Sequence, residues 1–183
     1  MGGIGLAVVG NRAATAVAQG AARYRNTYRR RDLITPRITT ATVRLATTAD
    51  LPPLRELFFA SRRQAFAWQP ADSFRIDDFD QQTHGELLLV AEETPARLIG
   101  MISVWEPDQF IHHLHVDPSS FRRGVGSALL QALPGWPKTR YRLKCLCANT
   151  PALAFYRALG FTEAGSGATD EGEYLLLEST GAG

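Results

Sequence analysis

The sequence predicts an α+β fold, a mixed sheet with helices covering both of its faces. Three observations carry this expectation. Strand-like and helix-like segments alternate in the order β-α-(α)-β-β-β-α-β-α-β-β, and mixed connectivity of this kind builds a sheet packed on both sides. The 183 residues suit one domain with enough length for a real core. The composition, 45% hydrophobic and 21% charged, is ordinary for a soluble globular protein.

Each element has a local reason. Val43-Arg44-Leu45-Ala46 alternates like a strand. Thr48-Ala49-Asp50 then offers helix caps, Pro52 suits a first turn, and Leu51, Leu54, Leu57 and Phe58 fall at helical spacing, so a helix runs to about Phe66. A looser segment, Asp72 to Phe79, holds a short second helix whose aromatic residues staple a loop to the core or line a cleft. Glu86–Glu92 reads as a buried strand, Glu93-Thr94-Pro95-Ala96 as a turn, and Leu98–Trp105 as the second strand of a hairpin. Pro107-Asp108 turns the chain into the strand Phe110–Val116. A glycine turn and a helix to about Leu133 follow, ended by Pro134-Gly135-Trp136-Pro137. Tyr141–Cys147 is a strand. Pro151–Leu159 is a helix with proline in its first turn and Gly160 as its C-cap. Phe161–Ala164 and Tyr174–Leu177 are closing strands joined through Gly165-Ser166-Gly167.

Charge is unevenly spread. Residues 1–41 hold seven arginines against one acid, whereas residues 42–183 hold thirteen basic against seventeen acidic side chains. The mildly acidic body argues against a nucleic-acid surface. Cys145 and Cys147 share one side of a strand and read as free thiols in a reducing, cytoplasmic compartment; no metal-ligand spacing surrounds them. No run approaches the roughly 20 apolar residues of a membrane span. The start does not fit a secretory signal, since the apolar run Ile4–Gly10 is short and no positive region precedes it, nor a twin-arginine signal, since no apolar stretch follows Arg30-Arg31. An Arg-rich, acid-poor start also resembles an organelle transit peptide. Residues 1–41 are better read as a basic, flexible or loosely helical extension outside the fold, which occupies residues 42–183.

The chemistry concentrates in the run from Ile111 to Leu130. It reads as strand, tight basic glycine turn and helix. Gly124 and Gly126 let backbone N–H groups converge, the helix that follows points its positive end at the same spot, and Arg122 and Arg123 add charge. Such a device holds a pyrophosphate. A tight turn with solvated arginines is the alternative. A second constellation, Asn149-Thr150-Pro151-Ala152-Leu153-Ala154-Phe155-Tyr156 leading into Leu159-Gly160-Phe161, puts an amide at a strand end and a phenol on the next helix. Alone, Asn149 reads equally as an N-cap and Tyr156 as a core residue.

Together these motifs make residues 42–178 resemble the GNAT superfamily of N-acetyltransferases. Gly124 and Gly126 match its phosphate-binding signature, and Asn149, Ala152, Phe155, Tyr156, Gly160 and Phe161 match its second signature in order and spacing. Phe121 departs from it, standing where the family has Gln or Arg. The resemblance implies the GNAT fold, a mixed, mostly antiparallel sheet of six to seven strands. It implies acetyl-CoA as co-substrate, without a metal, in a V-shaped gap between strands 110–116 and 140–147. The pyrophosphate would meet Arg122, Arg123, Gly124, Val125, Gly126 and Ser127. The pantetheine arm would meet the edge at Leu114, His115 and Val116, with Asn149 and Phe155 opposite. A backbone N–H near Leu114–Val116 would polarise the thioester carbonyl.

The expected reaction is direct attack by a neutral amine, which calls for a base. His112 is the first candidate, placed by strand parity beside Leu114, with His115, Glu106 or a water chain as alternatives. Tyr156 fits the acid that protonates the departing thiolate. The acceptor is a small-molecule or peptide amine, its specificity expected from segments 68–85 and 165–173, with Trp68, Phe74, Trp105 and Asp108 as lining candidates. A non-catalytic acyl-CoA-binding domain is the alternative function. No membrane or nucleic-acid partner is expected, and pairing as a homodimer stays open.

Overall fold

The computed structural model describes residues 41–66, 69–95 and 97–181. The expected N-terminal extension lies, apart from Ala41, outside these residues, as does Trp68. The described chain runs β1 Thr42–Leu45, α1 Leu51–Ala65, α2 Asp78–Gln82, β2 Leu87–Thr94, β3 Arg97–Trp105, β4 Phe110–Val116, α3 Val125–Gln131, β5 Arg142–Leu146, α4 Thr150–Ala158, β6 Phe161–Thr169 and β7 Gly172–Ser179. The seven strands form one sheet in the order β1-β2-β3-β4-β5-β7-β6. Every pairing is antiparallel except β4 with β5.

The sheet separates two apolar layers. Leu89 and Ala91 of β2, Ile102 and Val104 of β3, and Leu114 and Val116 of β4 pack with Val125 and Leu129 of α3 and Tyr156 of α4. On the other face Val90 and Met101 meet Leu54, Leu57 and Phe58 of α1 and Phe79 of α2. The period-2 alternation of β2 divides its residues between these layers. Helix α1 buries Leu54, Leu57, Phe58, Ser61, Arg62 and Ala65, the spacing of a single helical face. Its entry is fixed by Asp50, which accepts the Thr47 N–H and both guanidinium ends of Arg44. The Arg44 guanidinium holds the Asp50 carboxyl well below the usual carboxylate range.

Two local departures from the sequence expectation matter. The segment from Asp72 to Phe79 splits into a 3-10 turn, Ala71–Ser73, and the short α2. The closing strands are much longer than expected. Gly165-Ser166-Gly167 is not a joining loop; it lies within β6, paired to Leu176, Leu175 and Tyr174 of β7. The reason is steric at Gly167, where a Cβ would come 2.5 Å from the Tyr174 hydroxyl. Glycine lets the Tyr174 ring lie across the neighbouring strand.

The feature that positions the site is the junction of β4 and β5. These strands pair only at Phe110↔Arg142 and Ile111↔Leu143. Beyond Ile111, β4 continues to pair with β3 as far as Val116↔Gly100, while its other edge leaves β5. No helix among the described residues is long and apolar enough to cross a membrane.

Candidate functional site

The divergence of β4 and β5 leaves the β4 edge from His112 to Val116 without a strand partner on one side. Backbone N–H and C=O groups there are obligatory donors and acceptors. At the end of this edge Asp117 caps a 3-10 turn by accepting the Ser119 N–H, and the chain reaches Arg122 at φ 59 and Gly124 at φ 82. Two left-handed residues in three steps turn the chain back on itself and start α3 at Val125, with Gly124 as N-cap. The resulting cleft is lined by Val116, Arg122, Gly124, Val125, Gly126, Ser127 and Phe155, all expected from sequence. Ser120, Phe121 and Pro151 join them.

Not every expected contact reaches this cleft by its side chain. Arg123 turns away, pairing with Glu93 and lying 3.4 Å from Ser120 Oγ, so its charge is largely offset. Arg122 stays exposed at the turn. Leu114 and His115 are buried on opposite faces of β4, so only their backbone can meet a ligand in the gap. Asn149 caps α4, its Oδ1 accepting the Ala152 N–H at 3.2 Å. Phe121 half-buries its ring against the core, where a Gln or Arg would present a donor.

Tyr156 is fully buried, edge-on to Phe155 and Phe161, and its hydroxyl has no hydrogen-bond partner among the described residues. Burial pushes the phenol well above its ordinary value, with Cys145 acting in the same direction, so it stays an O–H donor across the physiological range. Leaving a buried hydroxyl unmatched costs about 1–3 kcal/mol.

The histidines separate sharply, and strand parity fails at one of them. Ser103 pairs His113 and Val104 pairs Ile111, so His112 is the extra residue of a β-bulge. The alternation that would set it beside Leu114 is broken. Instead Nδ1 of His112 hydrogen-bonds Glu86 Oε1, and the ring lies near those of Phe110 and His113. His112 remains partly exposed, at 21% of its side chain. His113 and His115 are buried against Phe58 beneath α1. Burial lowers the His113 ring well below its ordinary value and lowers His115 to about 3. His115 Nδ1 lies 2.7 Å from Ser61 Oγ. Its burial, at 1% exposure, speaks against His115 as the alternative base. Glu106 stands exposed on the turn before β4.

On the same face of the sheet, Arg62 is buried at the end of α1. It stacks on Phe58 and Phe74 and pairs with Asp78 and Glu171. Phe74 thus holds a loop to the core rather than standing free as a lining residue. Burial raises the Glu171 carboxyl against the opposing pull of Arg62. Sequence reading missed Arg62 and Glu86. For Arg62 a signal exists: it falls four residues after Phe58 on the buried helix face. For Glu86 the only signal is its place at the head of an apolar strand.

A family model described as "Acetyltransferase (GNAT) family" matches residues 51–161. The chain is 29% identical over 123 residues to the peptidyl-lysine N-acetyltransferase YiaC of Escherichia coli, covering 65% of this chain and 82% of that protein. It is also 29% identical over 127 residues to the ribosomal protein bS18 alanine N-acetyltransferase of Salmonella typhimurium, covering 67% and 82%. The solution structure of apo-form YjaB from Escherichia coli superposes with a TM-score of 0.62 at 20% identity, covering 78% of this chain and 99% of that one.

Proposed function

Because this chain belongs to the acetyltransferase (GNAT) family, we propose that it transfers the acetyl group of acetyl-CoA to a primary amine of a peptide by direct attack. The observation that carries the reading is the cleft shared by the glycine turn, Val116 at the end of the unpaired β4 edge and Phe155 of α4. The residues present fit the co-substrate. The unmatched Tyr156 hydroxyl calls for a partner that the described residues do not supply. The preference for a peptide amine is supported by the two sequence relatives, one named for a peptidyl lysine and one for an alanine of a ribosomal protein.

Each group then has a task. Backbone N–H groups from Arg122 to Ser127 hold the pyrophosphate, with exposed Arg122 adding charge. Acetyl-CoA bound there supplies an acyl thioester. The β4 edge at Leu114–Val116 hydrogen-bonds the pantetheine arm and donates to the carbonyl oxygen as negative charge develops. Asn149, the cap of α4, borders the arm from the opposite side. An alkyl ammonium, with a pKa near 10.4, must lose a proton before it can attack. His112 accepts that proton. As the C–N bond forms and the C–S bond breaks, Tyr156 donates its proton to the sulfur, the new amide nitrogen sheds its second proton to water, and exchange with solvent takes the proton off His112 and returns one to Tyr156.

The test is calorimetric titration with acetyl-CoA, then a turnover screen against lysine peptides, peptides with N-terminal alanine, free amino acids, polyamines and aminoglycosides. Micromolar-range binding and turnover on peptides are expected. Absence of binding overturns the reading. Binding without turnover on any amine points to the non-catalytic acyl-CoA-binding alternative.

A further inference from the structure

We infer that Glu86 is the positioning residue of a His112–Glu86 dyad, holding the His112 ring in the tautomer that accepts the substrate's proton at Nε2. The inference rests on the acetyl-transfer reading and adds to it a residue that no motif contains. Glu86 sits at the head of β2, and only 5% of its side chain is exposed. Among the described residues its sole ion-pair partner is His112, and its second oxygen, Oε2, has no hydrogen bond. A carboxylate buried without Arg or Lys is expensive, and the bond to His112 is what the structure sets against that cost.

The chemistry of a carboxylate assigns the roles. An ionised carboxylate only accepts, so His112 Nδ1 carries the proton in this pair. Nε2 is then left with its lone pair, on a ring that keeps partial exposure where β4 parts from β5. The bulge makes this possible. His112 has no partner on β3, so its ring can face Glu86 while Ile111 and His113 on either side stay paired to Val104 and Ser103 across a one-residue register shift. When Nε2 takes the amine's proton, the adjacent carboxylate stabilises the imidazolium that forms.

Three other charged or titratable groups among the described residues have partners or surroundings of their own. His113 lies 6.4 Å from His112 between ring centroids, and burial keeps it neutral. Arg62 of α1 bears on His113 and His115 and is paired with Asp78 and Glu171. Arg142 of β5, in register with Phe110, reaches the Asp108 carbonyl at 3.4 Å. None of them ion-pairs with Glu86.

The experiment compares wild type with Glu86→Gln, Glu86→Asp, His112→Ala and the double variant His112→Ala/Glu86→Gln. It measures acetyl-CoA affinity, the pH profile of kcat/KM with a lysine peptide, and the ¹⁵N shifts of the His112 ring. The expected wild-type spectrum shows the Nδ1-protonated tautomer, lost in Glu86→Gln. That variant should bind acetyl-CoA within twofold of wild type, lose about 100-fold in kcat, and move the acid limb of its profile to lower pH. Glu86→Asp should restore part of the rate, and the double variant should be no slower than His112→Ala. An active enzyme whose rate and profile survive Glu86→Gln, or an additive double variant, would overturn the dyad alone. A wild type that binds no acetyl-CoA would overturn the functional reading and the dyad's catalytic part with it, while the ring spectrum still decides the tautomer.

Discussion

Tyr156 carries a hydroxyl that the fold does not use. It is 0% exposed and unpartnered in the described residues, set in the same core as Leu114, Leu143 and Cys145. A purely structural residue here would be phenylalanine, which fills the same space without the desolvation cost. Tyr156→Phe should therefore leave thermal stability unchanged or raise it by up to about 1 kcal/mol, while lowering kcat about 100-fold. Denaturation and initial-rate measurements on the same preparation check both halves, and a rate equal to wild type would remove the acid role. The residue itself was legible, because Asn149 and Phe161 frame it in a recognisable spacing. The environment of the histidines was not. Period-2 reasoning assumes an unbroken ladder, and one unpaired residue opposite Ser103 and Val104 redirects His112 toward Glu86. A bulge of this kind leaves no local composition signal in Ile111-His112-His113-Leu114.

The elements around the glycine turn are coupled by packing rather than by sequence adjacency. Gly100 of β3 lies under the start of α3: a Cβ there would come to 2.8 Å from Val125 Cγ1 and 3.1 Å from Leu129 Cδ1. Gly100→Ala should push α3 off the sheet, costing about 1–3 kcal/mol by overpacking. It should also weaken acetyl-CoA binding, because the shift carries the Gly124–Ser127 N–H groups with it. A stability loss without any change in affinity in calorimetry would show that the turn is held independently of α3. Phe121 poses the reverse case. Its ring lines the cleft where a side-chain donor is usual in the family, so Phe121→Gln should raise acetyl-CoA affinity, by about fivefold for one added hydrogen bond of about 1 kcal/mol. An unchanged dissociation constant would mean that the backbone alone grips the phosphates. Element order was readable from periodicity and caps, and β4 coincides with its expected span. The length of the β6–β7 hairpin was not, because Gly165 and Gly167 look like loop residues until Leu176 is seen opposite the first and the Tyr174 ring across the second.

At the scale of the whole molecule, the sequence showed one sheet and two helical layers but not which layer hides its polar groups. The α3–α4 layer is almost wholly apolar, whereas the α1 layer encloses His113, His115, Ser61 and Arg62. This asymmetry makes stability depend on pH in a definite direction. Both buried histidines titrate below their ordinary value in the fold, His115 at about 3 and His113 well below 6.5, because burial excludes the charged ring. In the unfolded chain both rings take up protons near pH 6.5. Below that pH the unfolded state binds more protons than the native one, so acid draws the equilibrium toward unfolding. The native advantage is complete above about pH 6.5 and is lost progressively as pH falls toward 3, at up to about 2.7 kcal/mol per pH unit while both rings remain neutral in the fold. Asp50, held low by Arg44, adds its own loss only below the ordinary carboxylate range, so the first stage belongs to the histidines. Urea denaturation at pH 7.5, 6.5, 5.5 and 4.5 should give a flat segment and then a falling one. His115→Asn, which keeps a polar group for Ser61, should roughly halve the slope between pH 6 and 4. A wild-type stability that is level down to pH 4.5 would mean that the α1 layer admits water or charge where the structure encloses neutral rings.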